Sequence, residues 1–265
     1  MTPAPECPSE AVLPVHLPVS RRLEWKYRVP PERAGELHAA LASRTRPDAY
    51  CMVPAGTYPV RSVYYDTPGL RFYHERRDGV RVRRKLRVRN YGNGHCFLEI
   101  KRKLDQVVVK ERVPFSSIEV MAALDGVDPA VLMAGRSEND VRVLERFRHN
   151  LHSLGLVPML LVAYERRAMV GLAEPDLRIT LDHDLQVRPH PRPEALFEED
   201  GLVGFESRQL LEIKFAGRPP RWLLEVVTAF QLRRESYSKY CEGIDRCANG
   251  ADGVRANGTD ETSIS

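Results

Sequence analysis

The sequence predicts an α+β fold: a closed antiparallel β-barrel, or tunnel, with a charged interior and flanking helices. Segments in which polar and apolar residues alternate recur along the chain, and this period of two is that of a β-strand. The polar positions of these segments are mostly cationic, with single carboxylates among them. A barrel explains both observations if the charged faces point inward and helices cover the apolar outer faces.

The strands are predicted from alternation and from the turn signals between them. The segment 58–66 ends at the turn-like Thr67-Pro68-Gly69. A second signal, Asn90-Tyr91-Gly92-Asn93-Gly94, predicts a hairpin that sets the next strand antiparallel to the one before it. The predicted strands cover residues 23–29, 58–66, 81–89, 97–103, 107–113, 159–170, 177–182 and 210–215.

Paired prolines open two of the predicted helices, because proline fits the first turn of a helix. The predicted helices cover residues 30–44, most of 117–153, 219–232 and 236–244. The Pro-rich residues 1–19 and the Gly-, Ala-, Asn-, Ser- and Thr-rich residues 247–265 are predicted to be disordered tails. One domain is therefore expected over residues 20–246.

The segment 81–112 concentrates positive charge, with eleven Lys or Arg residues against three acids. Every odd position of 81–89 is cationic, so five cations would line one face of a strand. Such a row repels itself unless an anion lies along it or water solvates it. The formal net charge of the whole chain is only +4, so the basicity is local. This favours one anionic partner site over a general affinity for nucleic acid or membrane.

The totals describe a soluble globular protein, with 43% hydrophobic and 29% charged residues in 265. Five cysteines without zinc-ligand spacing indicate free thiols in a reducing compartment. No apolar run reaches the roughly 18 residues of a membrane span. The N-terminus lacks a secretory signal pattern. We therefore expect a cytoplasmic protein without a membrane span.

The charged strand faces predict a site for a chain of phosphates. Arg binds phosphate oxygens bidentately and Lys acts as a point charge, while carboxylates would hold Mg²⁺ or Mn²⁺. No Gly-rich phosphate loop is present, so side chains must bind the phosphate. A half-exposed strand also carries a polar face for ordinary reasons, but such faces usually mix uncharged residues with both charge signs.

Nine short motifs carry a family resemblance when they are read in order. They are Glu24-Trp25-Lys26-Tyr27, Ser62-Val63-Tyr64-Tyr65-Asp66-Thr67, Lys85-Leu86-Arg87-Val88-Arg89-Asn90-Tyr91-Gly92, Leu98-Glu99-Ile100-Lys101-Arg102-Lys103, Val109-Lys110-Glu111-Arg112, Tyr164-Glu165-Arg166-Arg167-Ala168, Arg178-Ile179-Thr180-Leu181-Asp182, Leu211-Glu212-Ile213-Lys214 and Ser238-Lys239-Tyr240. Over residues 20–245 the chain resembles the VTC-type polyphosphate polymerase domain, a branch of the triphosphate tunnel metalloenzyme (CYTH) superfamily.

The resemblance implies a tunnel that binds ATP and inorganic polyphosphate and transfers the ATP γ-phosphate to the chain end, aided by Mn²⁺ or Mg²⁺. The residues expected to act on the transferred phosphates are Lys26, Arg87, Arg89, Lys101, Lys110 and Arg166. Further phosphate contacts are expected from Arg112, Arg178, Lys214 and Lys239. The expected metal ligands are Glu212, Glu99 and Glu24.

The first motif departs from the superfamily pattern. Hydrolase and cyclase members typically begin with Glu-x-Glu-x-Lys, whereas this chain has Arg22-Leu23-Glu24-Trp25-Lys26. Loss of the first carboxylate should weaken a two-metal arrangement that activates water, which favours polymerase-type transfer.

Three alternatives stay open at this point. The domain could be a non-catalytic polyphosphate or polyanion binder, or a triphosphate hydrolase of the same superfamily. A nucleic-acid-binding module is disfavoured, because residues 81–89 offer no aromatic side chains for base stacking. An additional protein partner is left open.

Overall fold

The computed structural model describes residues 22–51, 56–92, 94–105 and 107–255, which form ten strands, seven α-helices and two short 3₁₀ turns. The strands are β1 (Arg22–Val29), β2 (Thr45–Pro47), β3 (Tyr58–Asp66), β4 (Val82–Asn90), β5 (His95–Leu104), β6 (Val107–Ser116), β7 (Val157–Gly171), β8 (Arg178–Pro189), β9 (Val203–Glu206) and β10 (Gln209–Ala216). The helices are α1 (Pro31–Ala42), α2 (Arg71–Arg77), α3 (Ser117–Leu124), α4 (Pro129–Leu132), α5 (Glu138–Ser153), α6 (Arg221–Ala229) and α7 (Lys239–Arg255).

The strands form one antiparallel sheet with the order β1-β10-β8-β7-β3-β4-β5-β6, and β2 and β9 pair with β7 and β8. Within the described strands the two ends of this path, β1 and β6, are not hydrogen-bonded to each other. The prediction of a barrel closed by hydrogen bonds is therefore not confirmed. The cationic side chains of β6 interact with the neighbouring strand instead, since Lys110 Nζ lies 2.6 Å from Glu99 Oε1 of β5.

Two apolar clusters lie between the sheet and the helices that cover it. One joins α3 and α5 to β3–β6, with Leu86, Ile100 and Phe147 fully buried in it. The other joins α1 and α6 to β1, β8 and β10, around Leu37 and Ile213. In these two clusters helices cover apolar strand faces, as predicted.

The helix α7 differs from the others because it packs on the opposite face of the sheet, over a third apolar cluster around Leu160 and Val187 that lies beside the charged positions. Its Tyr240 ring stacks on Tyr64 of β3, with centroids 5.3 Å apart. Gly243 allows this close approach, because an added Cβ would lie within 2.8 Å of side-chain atoms of Leu160 and Val187. The C-terminal helix therefore covers part of the surface where the charged strand positions meet.

The predicted elements are all present, with several boundaries moved. The sequence analysis missed β2, β9 and α2. The helix α2 begins where the backbone N–H groups of Phe72 and Tyr73 donate to the Asp66 carboxylate at 2.9 and 3.0 Å, a cap supplied by the preceding strand. Residues 247–255 continue α7, in contrast to the predicted tail, while residues 1–19 and 256–265 lie outside the described residues. None of the helices in the described part combines the length and apolarity needed to cross a bilayer.

Candidate functional site

The charged strand faces meet around a cavity of about 290 Å³. It is lined by side chains of β1, β3, β4, β5, β6, β7 and β10, of α2, and of the start of α7 and the residues just before it. Most of the predicted site residues line it, namely Glu24, Lys26, Arg87, Arg89, Lys101, Arg166, Glu212, Lys214 and Lys239. The cavity also contains side chains that the sequence analysis did not assign to the site, among them Tyr64, Lys85, Tyr164 and Ser238.

One wall is built by β4 and β5, which pair so that Arg87 lies opposite Glu99. The Glu99 carboxylate is 2% exposed and accepts from Arg87 Nε at 2.6 Å. Arg89 Nε donates to Ser62 Oγ at 2.8 Å. Burial raises the pKa of Glu99, but Arg87, Arg89 and Lys110 outweigh it and hold that pKa well below its usual value. Both arginines are therefore charged and held in fixed orientations.

The opposite wall centres on Asp182, which is fully buried. Arg166 binds it bidentately, with Nε and Nη2 at 2.7 and 2.8 Å from the two carboxylate oxygens, and Lys239 Nζ lies 2.6 Å from Oδ2. Burial raises the pKa of Asp182, but Arg166 and then Lys239 outweigh it and lower the pKa to about 2. Asp182 thus orients two of the predicted phosphate ligands.

The sequence analysis missed Asp182 as a site residue. Arg178, Thr180 and Asp182 lie two residues apart, so their side chains share one strand face, and this spacing is the signal that could have indicated Asp182. Its role depends on Arg166 of β7 and on Lys239 of α7, which only the fold brings to it.

A third cluster joins β1 and β10, where Lys26 lies opposite Glu212 and Glu24 lies opposite Lys214. Lys26 Nζ is 2.9 Å from Glu24 and 3.5 Å from Glu212, and Lys214 forms an ion pair with Glu212. Burial raises the pKa of Glu212, but Lys214 and Lys26 outweigh it and hold that pKa well below its usual value. Both carboxylates are therefore ionised near neutral pH.

Two lysines on the β4 and β5 wall experience the opposite effect. Burial lowers the pKa of Lys85 to about 8, and its ammonium group donates to Ser238 Oγ at 3.4 Å. Burial also lowers the pKa of Lys101, with neighbouring cations adding to the effect. These shifts show that burial disfavours the charged ammonium groups, a cost that an anion in the cavity would offset.

Three predicted phosphate ligands lie away from the cavity lining. Arg178 is 44% exposed and donates to Asp48 at 2.8 Å. Arg112 lies over the Phe97 ring, 4.9 Å from its centroid. Lys110 is held by Glu99 at the margin of the β5 wall. The assignment of these three residues to phosphate stays a prediction.

The predicted metal ligands do not form one cluster. Within the described ranges no three His, Cys, Asp or Glu side chains come together as a metal site. Glu99 is already bridged by Arg87 and Lys110. Burial and then the nearby charge of Glu212 raise the pKa of Glu24, but Lys26, Lys214 and Lys101 outweigh them and lower it. Mg²⁺ usually uses one or two carboxylates together with phosphate oxygens, so this pair fits a divalent ion that also contacts bound phosphate.

The fold and the cavity define a class of protein: an antiparallel sheet domain whose charged strand faces line a cationic cavity. A family model described as the VTC domain matches residues 21–247. The chain belongs to the VTC domain family, which confirms the resemblance stated from its motifs.

Comparisons with other proteins add distant similarities. A candidate adenylate cyclase from Bacillus halodurans is 13% identical, with a TM-score of 0.47 over 83% of this chain and 94% of that one. HpAC1 from Hippeastrum, a candidate adenylyl cyclase described as having dominant triphosphatase activity, is 17% identical, with a TM-score of 0.47 over 84% of this chain and 95% of that one. These similarities are too distant to bear on the reaction. A comparison with curated proteins finds no match.

Proposed function

We propose that this domain is a polyphosphate polymerase, which transfers the γ-phosphate of ATP to the end of an inorganic polyphosphate chain bound in the cavity. The observation that carries the proposal is the set of three guanidinium groups held by buried or part-buried partners. Glu99 fixes Arg87, Ser62 fixes Arg89 and Asp182 fixes Arg166, each at 2.6–2.8 Å. Guanidinium groups oriented in this way can bind phosphate oxygens without further reorganisation.

The proposed step needs little covalent chemistry from the protein. A terminal oxygen of the polyphosphate attacks the γ-phosphorus of ATP, a new P–O bond forms, and the bond to the leaving ADP oxygen breaks. The attacking oxygen is already anionic, so no general base is required. The main obstacle is repulsion between two polyanions, and in this proposal Arg87, Arg89 and Arg166 reduce it by neutralising their phosphate oxygens.

Two lysines contribute charge in the cluster formed by β1 and β10. Lys26 and Lys214 lie beside Glu212 and can follow a phosphate that enters between the walls, because their ammonium groups are flexible point charges. Glu24 and Glu212 are the residues that would hold Mn²⁺ or Mg²⁺, which when bound supplies further charge neutralisation on phosphate oxygens.

Incubation of the purified protein with ATP and Mn²⁺ tests the proposal if the products are separated. We expect ADP together with an acid-insoluble phosphate polymer. Orthophosphate without polymer would indicate a triphosphate hydrolase. Absence of turnover, with polyphosphate still raising the melting temperature, would indicate a binding domain.

The site assignment is tested by Arg87→Ala in the same assay. Loss of an oriented guanidinium on the transferring phosphate should lower kcat/KM about a hundredfold. Arg221→Ala is the matched control, because Arg221 is exposed on α6 and pairs only with Glu225 in the described structure. Equal activity of the two variants would exclude Arg87 from the site.

A further inference from the structure

Tyr64 occupies a place in the cavity that the proposed phosphate ligands do not explain. Its side chain is 6% exposed, and its hydroxyl oxygen accepts from Arg87 Nη1 at 3.1 Å. The ring stacks on Tyr240 and lies under the Arg87 guanidinium, 5.7 Å from ring centroid to Cζ. The phenol is therefore fixed with its oxygen against the central arginine of the β4 wall.

The other contacts of Arg87 limit which of its N–H groups a phosphate can reach. Arg87 Nε and Nη2 each lie 2.6 Å from Glu99 Oε2, so that edge of the guanidinium is occupied. Its remaining nitrogen, Nη1, is the one that meets Tyr64. A phosphate that binds Arg87 from the cavity must therefore use the remaining N–H groups of Nη1 and Nη2, directly beside the phenol oxygen.

The groups around the phenol are almost all cationic. They are Lys85, Arg87 and Arg89 of β4 and Lys26 of β1, with the neutral Tyr240 of α7 on the ring face and Leu160 of β7 as the strand neighbour. Burial raises the pKa of Tyr64, but Arg87, Arg89 and Lys85 outweigh it and lower the pKa to about 7.

The adjacent residue shows that this environment belongs to one face of β3. Tyr65 points to the apolar side, where its ring meets Phe147 edge-on, with centroids 6.0 Å apart. Its hydroxyl has no hydrogen-bond partner among the described residues, and burial raises its pKa. Tyr64 and Tyr65 therefore form a matched pair in which only Tyr64 faces the cations.

We propose that Tyr64 is a phosphate-contacting residue whose hydroxyl donates a hydrogen bond to the bound triphosphate, and that in the empty cavity its phenolate is a second counter-ion of Arg87 beside Glu99. This inference rests on the proposed function, because it requires a polyphosphate in the cavity. Binding replaces one anion beside Arg87 by another, so the phenolate takes up a proton from solvent and the neutral phenol then donates to a phosphate oxygen.

The inference makes a spectroscopic prediction, because tyrosinate absorbs in the ultraviolet differently from tyrosine. With a pKa near 7, about nine-tenths of Tyr64 is ionised at about pH 8, where an ordinary tyrosine with a pKa of about 10 is neutral. Titration of the wild-type protein with inorganic tripolyphosphate at this pH should remove the tyrosinate absorbance. Lys85 titrates in the same pH range but contributes nothing to this signal.

The affinity for tripolyphosphate, measured by calorimetry, should show the same competition. Above about pH 7 the wild-type affinity should include a penalty that grows about tenfold per pH unit, because the phenolate must be protonated for binding. Tyr64→Phe should lack that penalty and bind a few-fold more weakly than wild type at about pH 6, where the hydroxyl donor is missing. Tyr65→Phe should behave as wild type in both measurements.

Each outcome distinguishes the inference from the proposed function. If the wild-type protein binds tripolyphosphate but shows no tyrosinate at about pH 8, or if the tyrosinate persists in the complex, the role of Tyr64 is wrong and the function stands. The same holds if Tyr64→Phe keeps the signal, which would then belong to another tyrosine such as Tyr91, whose pKa is also lowered. No binding by the wild-type protein at any pH would overturn both. If Tyr64→Phe does not fold, Tyr91→Phe replaces it: a tyrosinate signal that persists in Tyr91→Phe supports Tyr64, and a signal that is lost contradicts the inference.

Discussion

Asp182 and Glu212 lie on neighbouring strands of the same charged face, yet their surroundings differ. Asp182 is fully buried, and the rigid fork of Arg166 holds both of its oxygens. Glu212 is 14% exposed and is neutralised by two lysines, one of them at 3.5 Å. An Arg fork fixes a carboxylate, whereas lysines can move away from one. The comparison separates an acid that positions cations from an acid that could exchange lysine for a metal ion.

The largest expected effect is the loss of stability in Asp182→Ala. Removal of the carboxylate leaves Arg166 buried beside Lys239 without the acid that pairs with both, and breaking a buried pair in this way costs about 3–5 kcal/mol. Urea unfolding of wild type and variant measures the difference. A variant as stable as wild type would show that Asp182 does not hold the two cations together, and the contrast with Glu212 would disappear.

Glu212→Gln should lower stability less than Asp182→Ala, because the lysine partners of Glu212 are partly exposed, but it should change the metal dependence more. The amide keeps the shape but loses the charge, so we expect about a 10- to 100-fold higher Mn²⁺ concentration for half-maximal polymer synthesis. Glu24→Gln should have a smaller effect in the same direction, since Lys26 lies closer to Glu24 than to Glu212. An unchanged Mn²⁺ requirement in both variants would remove them from the proposed metal site.

A smaller effect is expected in acid unfolding, which measures how much stability the ionised Asp182 contributes. The pKa of Asp182 is about 2 in the folded chain, below the value of about 4 expected in the unfolded chain. Its contribution to stability is therefore complete above about pH 4 and is lost as the pH falls towards 2, by on the order of 2 kcal/mol. Asp182→Asn should lack this part of the pH dependence, and identical acid profiles for variant and wild type would contradict the assignment.

Strand alternation was sufficient to predict the charged face and most of its residues. The bounds of β3 are those predicted, and Lys26, Arg87, Lys101 and Glu212 lie in the cavity as expected. Alternation shows which face a side chain takes, because the period is fixed by strand geometry. It does not show where along the strand the cavity ends, and Arg178 lies beyond that limit, paired with Asp48 from a distant part of the chain.

Features that depend on contacts between elements could not be predicted in this way. The position of Asp182 between Arg166 and Lys239 joins β8, β7 and α7, and the Asp66 cap of α2 joins a strand to the helix after it. Whether β1 and β6 pair with each other depends on the arrangement of all the strands between them. Local sequence patterns do not show that arrangement.

The pairing of β1 has a consequence for the order in which the site assembles during synthesis. The only strand hydrogen-bonded to β1 in the described sheet is β10, and α7, which supplies Lys239, follows β10 in the chain. A growing chain therefore carries Lys26 on an unpaired strand until Glu212 has emerged from the ribosome. Contacts between such distant segments form late, since closing a long loop precedes any gain from pairing. Completion of the cavity is thus one of the last events of folding, and nascent chains that lack β10 and α7 cannot bind polyphosphate in the proposed way.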